Sequence, residues 1–252
     1  MCPNFMFTWQ SSLLFVVVGV ALGSQGAGGA LLALPIFLVV MELPMELAVP
    51  ATTAVVGLAA LSGAWEAWSA KRMDLSVLGR VAAPAVVVSA LGAWITHRIP
   101  AAVLHWSFLA VVVFAAVRSL QSRHEERTDS PPGADPVRFP VAGAETGVLM
   151  GLFGVGGGIL AMPALVRRGG LSASVAMGAS FGAMALSAAS SLAVRIPSGP
   201  FRWTIVVPAL IAVLLGMEIG GWVSGRLSGR LQEKTLGVML MAVAVSLVVH
   251  SL

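Results

Sequence analysis

Two clusters of glycine are the part of this sequence whose residue types and spacing could bind a ligand. Gly26, Gly28 and Gly29 form the first cluster, and Gly154 with residues 156–158 forms the second, 128 positions later. Glycine lets the backbone turn with positive φ and lets a ligand approach the main chain closely. A helix that starts after such a turn presents unpaired N–H groups and the positive end of its dipole. Each cluster is therefore predicted to hold an anion through backbone N–H groups, without a basic side chain.

The two clusters belong to one sequence motif that occurs twice in the chain. Residues 23–35 and 151–163 are identical at seven of 13 positions, and each copy ends in a proline, Pro35 or Pro163. For any single glycine the alternative is close helix packing, which small residues commonly serve in membranes. A matched pair of glycine breaks in two halves of a chain is instead typical of a transporter's binding site.

Hydroxyl side chains follow each cluster at matched positions. Thr52 and Thr53 lie in the first half, and Ser180 is the counterpart of Thr52 in the second. They could donate hydrogen bonds to an oxyanion, or they could bond back to the carbonyl four residues earlier. Gln25 lies beside the first cluster, and Phe153 takes its place in the second. The predicted anion-binding residues are Gln25, Gly26, Gly28, Gly29, Thr52, Thr53, Gly154, Gly156, Gly157, Gly158 and Ser180.

One carboxylate, Glu218, lies inside an apolar segment. An ionisable group in hydrocarbon is costly, so Glu218 is a candidate for carrying a coupling proton. The alternative is that it lies near the membrane interface and meets water or Arg226. The four histidines form no pair at helical spacing, so the sequence predicts no metal site, and it predicts no cofactor.

The composition indicates what must position these residues. Of 252 residues 58% are hydrophobic and 10% are charged, and the mean hydropathy is +0.93. A soluble domain carries about 25% charged residues, so the chain is predicted to be an all-α polytopic membrane protein. Its net charge of +4 comes from Lys and Arg scattered among loops, which does not favour a nucleic-acid partner. The single Cys2 excludes an internal disulfide, and the first dozen residues lack the basic region of a cleaved signal peptide.

The chain divides into two transmembrane repeats, 1–120 and 141–252, joined by a hydrophilic linker at 121–140. Eight segments are apolar: 12–40, 46–69, 76–96, 101–119, 141–166, 172–194, 203–224 and 232–251. The first and fifth contain the glycine clusters and are the longest. If each of these two is a re-entrant hairpin, each repeat has three further spanning helices and the second repeat is inverted. With the linker inside, 12 of the 15 Lys and Arg residues then lie inside. Eight single crossings give a poorer positive-inside bias, so we favour the inverted arrangement.

The doubled motif resembles that of the TauE/SafE family of sulfite exporters. The resemblance covers almost the whole chain and rests on Gly26, Gly28, Gly29 and Pro35, repeated as Gly154, Gly156, Gly157, Gly158 and Pro163. Two positions depart from the pattern: Pro50, whose partner is Gly178, and Ala30, whose partner is Gly158. The resemblance implies a multi-pass protein of the bacterial inner membrane that exports sulfite or an organosulfonate.

We therefore expect a secondary transporter that moves a small sulfur-containing anion by alternating access. An anion channel, or a carrier for another small organic anion, is the alternative. The apolar segments hold no Ser/His pair or paired carboxylates of the kind that catalysis needs, so the chain is not expected to be an enzyme. The expected partners are the anion and membrane lipid, and the sequence leaves open whether two copies form a homodimer.

Overall fold

A computed structural model describes residues 9–121, 138–167, 170–198, 201–224 and 229–251. These residues form helices and short connections, with no β-strand among them. The α-helices are α1 (Trp9–Gln25), α2 (Ala33–Pro35), α3 (Met45–Ser69), α4 (Leu75–Thr96), α5 (Ala101–Gln121), α6 (Arg138–Phe153), α7 (Gly158–Arg167), α8 (Ala173–Arg195), α9 (Trp203–Ser224) and α10 (Gly229–Ser251). Most of the predicted linker 121–140, namely residues 122–137, lies outside the described residues.

Five of the described helices are long and apolar enough to cross a membrane. They are α3, α4, α5, α8 and most of α9. α10 spans 23 residues, and its apolar part within the described residues is Lys234–Val249. The prediction of an all-α, multi-pass membrane protein is confirmed.

The first hairpin, residues 9–40, folds back on itself after α1. A Cβ added to Gly29 would lie 2.5 Å from the backbone nitrogen of Leu22. Seven residues of straight α-helix would instead separate these positions by about 10 Å. The rings of Phe15 and Phe37 meet with centroids 4.8 Å apart, so the returning limb runs antiparallel to α1. That limb is a 3₁₀ helix (Gly26–Leu32), the single turn α2 and a π-helix (Ile36–Val40).

The second hairpin, residues 138–167, is formed by α6 and α7. Between these helices Gly154 adopts a φ of 70°, in the left-handed region that glycine tolerates. A Cβ on Gly157 would lie 2.9 Å from the backbone nitrogen of Thr146 on α6, so the start of α7 packs closely against α6. The chain therefore reverses within a few buried glycines.

Helix boundaries recur at the offset of the sequence repeat. α4 covers 75–96 and α9 covers 203–224, so both ends differ by 128, the spacing of the glycine motifs. α3 and α8 start at residues 45 and 173, with the same offset. The repeat seen in the motif thus extends to the lengths and order of the helices.

Each hairpin packs on a helix of the other repeat. α1 packs on α9, and α6 packs on α4. A Cβ on Gly23 would lie 2.9 Å from the Cα of Met217, and a Cβ on Gly151 would lie 2.9 Å from the Cα of Ser89. These two contacts are equivalent at the offset of 128. Small residues allow the backbones to approach closely, as in many membrane helix pairs.

α3 and α8 form the centre of the molecule and run antiparallel. Gly57 lies against Ala188 and Gly63 lies against Phe181, so residue numbers rise along one helix as they fall along the other. α4 and α8 run parallel, because Leu78 meets Gly182 and Ser89 bonds to the Ser187 carbonyl, so residue numbers rise together along the two helices.

Candidate functional site

The ends of the two hairpins meet inside the molecule. The 3₁₀ helix Gly26–Leu32 packs on α7 and α8. On the other side, a Cβ on Gly154 would lie 2.5 Å from the Val49 carbonyl oxygen of α3. Each hairpin end therefore contacts the long central helix of the opposite repeat, and the two ends contact each other. The two glycine clusters that the sequence singled out are brought together.

The second hairpin end has the interrupted backbone that the sequence predicted. The Gly154 N–H donates to the Met150 carbonyl at 3.0 Å, which closes the last turn of α6. The first helical bond of α7 runs from the Ala161 N–H to the Gly157 carbonyl at 2.9 Å. Residues 154–157 lie outside both helices and are buried. The first N–H groups of α7 have no partner within that helix, and they lie beside the non-helical glycines.

The first hairpin end differs from the prediction. A half-helix starting near Gly29 was expected, but the backbone stays helical from 26 to 40 and only changes helix type. In a 3₁₀ helix each N–H bonds to the carbonyl three residues earlier, so fewer donors are left for a ligand. The side chain of Gln25 and the surroundings of Gly26 and Gly28 lie outside the described part of the structure.

The three predicted hydroxyl groups fall into two classes. Thr52 and Thr53 are fully buried and donate to the carbonyls of Ala48 and Val49, each at 2.8 Å. This is the back-bonding alternative, and it uses the only O–H donor of each side chain. Ser180 is also buried, but its Oγ makes no hydrogen bond with any of the described residues. Buried polar atoms without a partner are rare in native structures, so Ser180 is the hydroxyl free to meet a ligand.

Two residues that the sequence did not single out support the second hairpin end. Met184 of α8 fills the space beside Gly156, where an added Cβ would lie 2.6 Å from its sulfur. Thr146 of α6 packs on Gly157 and donates to the Ala142 carbonyl at 2.9 Å. Their contacts with Gly156 and Gly157 follow from tertiary packing, which a single sequence does not reveal.

Arg195 was also missed. It ends α8, and the charge analysis placed it among the loops. In the structure it is 4% exposed. Its Nε donates to Ser191 Oγ at 3.1 Å, and its Nη2 donates to Thr96 Oγ1 at 3.4 Å and to the Gly151 carbonyl. The sequence signal that could have found it is the run Ser187, Ser191, Arg195, which lies on one face of a helix.

Glu218 does not face the hairpin ends. It lies on the exposed side of α9, near Leu215, Ile219 and Trp222, which are 60%, 49% and 66% exposed. The opposite side of α9 packs on α1 through Gly216 and Gly220. The proton-coupling role of Glu218 stays a prediction, and this placement gives it no support.

A cavity of about 310 Å³ lies away from the hairpin ends, between the first hairpin, α5 and α10. Seven of its eight lining residues are apolar, and the exception is His105. The cavity offers almost no hydrogen-bond donors, so it does not suit an anion. Among the described residues no group of His, Cys, Asp and Glu is arranged to hold a metal ion.

Comparison with known proteins now gives the context of this geometry. The family model described as sulfite exporter TauE/SafE matches residues 12–247. The "Probable membrane transporter protein YdhB" of Bacillus subtilis (strain 168) is 26% identical over 148 residues, which are 57% of this chain and 60% of that protein. The match thus spans about three fifths of the length of this curated relative. No solved structure matches the chain.

Proposed function

Because the chain belongs to the TauE/SafE family of sulfite exporters, we propose that this membrane transporter carries a small sulfur-containing anion, such as sulfite or an organosulfonate, across the bacterial inner membrane. Binding takes place where the two hairpin ends meet, and transport proceeds by alternating access. The direction expected from the family description is export. The anion is the chemistry that the site favours, and the sulfur comes from the family.

One observation carries the proposal: the end of the second hairpin combines free backbone donors with an unpaired hydroxyl in its neighbourhood. The N-terminus of α7 is positive and points to the non-helical glycines. α8, which carries the unpartnered Ser180 Oγ, packs on both α7 and the first hairpin end. A small oxyanion accepts several hydrogen bonds at once, so it matches such a set of donors.

Helix directions support an inverted repeat in the membrane. If all eight apolar segments crossed once, α3 and α8 would run parallel and α4 and α8 antiparallel. The contacts of Gly57 and Gly63 indicate that α3 and α8 are antiparallel. The contacts of Leu78 and Ser89 indicate that α4 and α8 are parallel. Two hairpins that enter and leave on one side each give these directions. The two repeats can then exchange conformations, which opens the shared site to one side at a time.

Substrate and mechanism are tested together by counterflow in proteoliposomes. Vesicles loaded with unlabelled sulfite, thiosulfate, sulfoacetate or taurine are diluted into medium with trace labelled sulfite. A carrier with the proposed specificity accumulates label transiently when a sulfur anion is inside, and empty vesicles do not. A channel would equilibrate the label without overshoot. Exchange of a cation or neutral solute with no response to any sulfur anion would overturn the proposal.

Inversion is tested with one pair of cysteines in a background that carries Cys2→Ser. Glu46→Cys and Ser174→Cys are equivalent positions, 128 residues apart, and both residues are exposed at the start of a central helix. An impermeant maleimide added to intact cells should label one and spare the other. Labelling of both from the same side would contradict the inverted repeat.

A further inference from the structure

The end of α8 places a buried positive charge beside the second hairpin. The side chain of Arg195 reaches the carbonyl of Gly151, which lies three residues before Gly154 on the last turn of α6. Arg195 therefore lies at the hairpin end, although its sequence position is that of a loop residue. The first repeat has Ala67 at the equivalent position, so only one of the two hairpins has this charge.

All the partners of Arg195 in the described structure are neutral. They are two hydroxyls and one carbonyl, and no carboxylate of the described residues lies within ion-pair distance. A buried charge without a counter-charge is strongly disfavoured. Neutral hydrogen-bond partners satisfy the geometry of the guanidinium, and the negative end of the α6 dipole offsets only about half of its charge. An anion that enters the site supplies the missing charge.

The guanidinium also has donors to spare. It carries five N–H groups in one plane, and the bonds to Ser191, Thr96 and Gly151 involve Nε and Nη2. Nη1 makes no hydrogen bond with the described residues. The two N–H groups of Nη1 suit a sulfonate or sulfite oxygen, because guanidinium binds oxyanions through charge-assisted bonds.

We propose that Arg195 is the charged ligand of the transported anion at the second hairpin, where it acts with the backbone donors of residues 154–158. This rests on the proposed function, since it assumes that the hairpin ends form the anion site. The bonds to Ser191 and Thr96 hold the guanidinium in place, and the bond to Gly151 fixes it to the end of α6. That contact also balances the negative end of the α6 dipole, which would otherwise repel an anion.

Binding to purified protein in nanodiscs tests this inference. The probes are sodium sulfite, sodium thiosulfate and sodium sulfoacetate, each titrated while the thermal unfolding midpoint is recorded. We expect sulfite to stabilise the unmodified protein, Arg195→Gln to weaken its apparent affinity by about 10- to 100-fold, and Arg195→Lys to lose less. Arg202→Gln is the matched control, because Arg202 is an exposed cation only seven residues away, and it should bind as the unmodified protein does.

Proteoliposome transport separates charge recognition from a structural role. If Arg195 binds the anion, Arg195→Gln raises KM for sulfite far more than it lowers the maximal rate per folded molecule. A purely structural role lowers the rate and the unfolding temperature without moving KM, and that result would overturn the inference. Unchanged sulfite affinity in both Arg195 variants would overturn it as well, while the proposed function would stand.

Failure of the proposed function gives a different result. In that case the unmodified protein responds to no sulfur anion. The same three variants are then compared with phosphate, acetate and sulfate. An anion that stabilises the unmodified protein and not Arg195→Gln supports the charged site with another substrate, and equal binding by all variants refutes it. Should Arg195→Gln fail to fold, the Arg195→Lys titration alone decides, with unchanged affinity counting against the inference.

Discussion

The two glycine hairpins have almost the same sequence motif but different local structures. The second breaks its helix completely, with Gly154 at positive φ and four residues between α6 and α7. The first keeps a helical backbone that passes from α to 3₁₀ to π. The difference shows that a shared glycine pattern can fix where a chain reverses without fixing which backbone donors are left unpaired.

The polar side chains around the two hairpins also differ, and the second hairpin again has more hydrogen-bond donors that an anion could use. The α8 side offers the unpartnered Ser180 and the buried Arg195, whereas the matched hydroxyl Thr52 on α3 is already bonded to Ala48. Polar groups that could meet an anion are thus concentrated in the second repeat, but Ser180 and Arg195 lie about 22 Å apart along α8, so one small anion does not contact both at once. We infer that the second hairpin binds the anion and that the first mainly closes the site.

The largest expected effect is that of Gly154→Ala. Alanine is strained at a φ of 70°, and its Cβ would lie 2.5 Å from the Val49 carbonyl. Strain and overpacking together should cost about 2–5 kcal/mol and abolish sulfite counterflow. Gly29→Ala in the first hairpin meets a close contact but has no positive φ, so it should cost less and retain more transport. Equal losses in unfolding temperature and counterflow would mean that the two ends do not differ in the way described.

Gly157→Ala and Gly29→Ala probe the feature that the hairpins share. In both, the new Cβ meets the backbone of the preceding limb, at Thr146 or at Leu22. Each should destabilise the protein by about 1–3 kcal/mol and slow transport to a similar degree. Gly221→Ala is the control, because no atom of the described residues lies within 4 Å of its added Cβ. A loss with Gly29→Ala alone, measured by thermal unfolding, would make the first hairpin the more demanding one.

Ser180→Ala and Thr52→Val sharpen the comparison of the matched hydroxyls. Because Ser180 Oγ has no partner within the described part of the chain, its removal should leave the unfolding temperature unchanged and raise KM for sulfite about 3- to 10-fold. Thr52→Val removes a hydroxyl that bonds within its own helix, so KM should stay the same. A rise in KM with Thr52→Val and none with Ser180→Ala would reverse the assignment of the two repeats.

The smallest effect is expected for Gly156→Ala. Its Cβ would meet the end of the Met184 side chain, which is flexible and can move aside. The cost should stay below about 1 kcal/mol, and most counterflow should remain, whereas Gly156→Val should abolish it. Complete loss with alanine would show that the space beside Gly156 is needed by the anion itself.

Much of the architecture was predictable from the sequence. The hydropathy profile predicted the helices, and the doubled motif predicted both chain reversals, because glycine clusters in apolar segments leave few other solutions. The α4 and α9 boundaries follow the 128-residue offset directly. These features depend on local composition and on a repeat, both of which one sequence contains.

The details of the site were less predictable. The Thr52 hydroxyl bonds within its own helix, and the Ser180 hydroxyl has no partner among the described residues. Which of these occurs depends on neighbours that are distant in the chain. Arg195 looked like a loop charge because it follows the last apolar residue of its segment, and only packing against α4 and α6 buries it. The first hairpin end contacts α7 and α8, which lie more than 100 residues away in the chain.

The exchange of hairpins between repeats has a consequence for biosynthesis. Gly23 of α1 packs on Met217 of α9, so the face that it presents has no native neighbour until almost the whole chain has been translated. At 5–20 residues per second this delay is about 10–40 s. Until α9 is made, the apolar, glycine-lined face of α1 must therefore contact lipid or the insertion machinery. If translation stops after α5, the first hairpin is made without its partner helix α9. We expect such a fragment to be a substrate for membrane proteases.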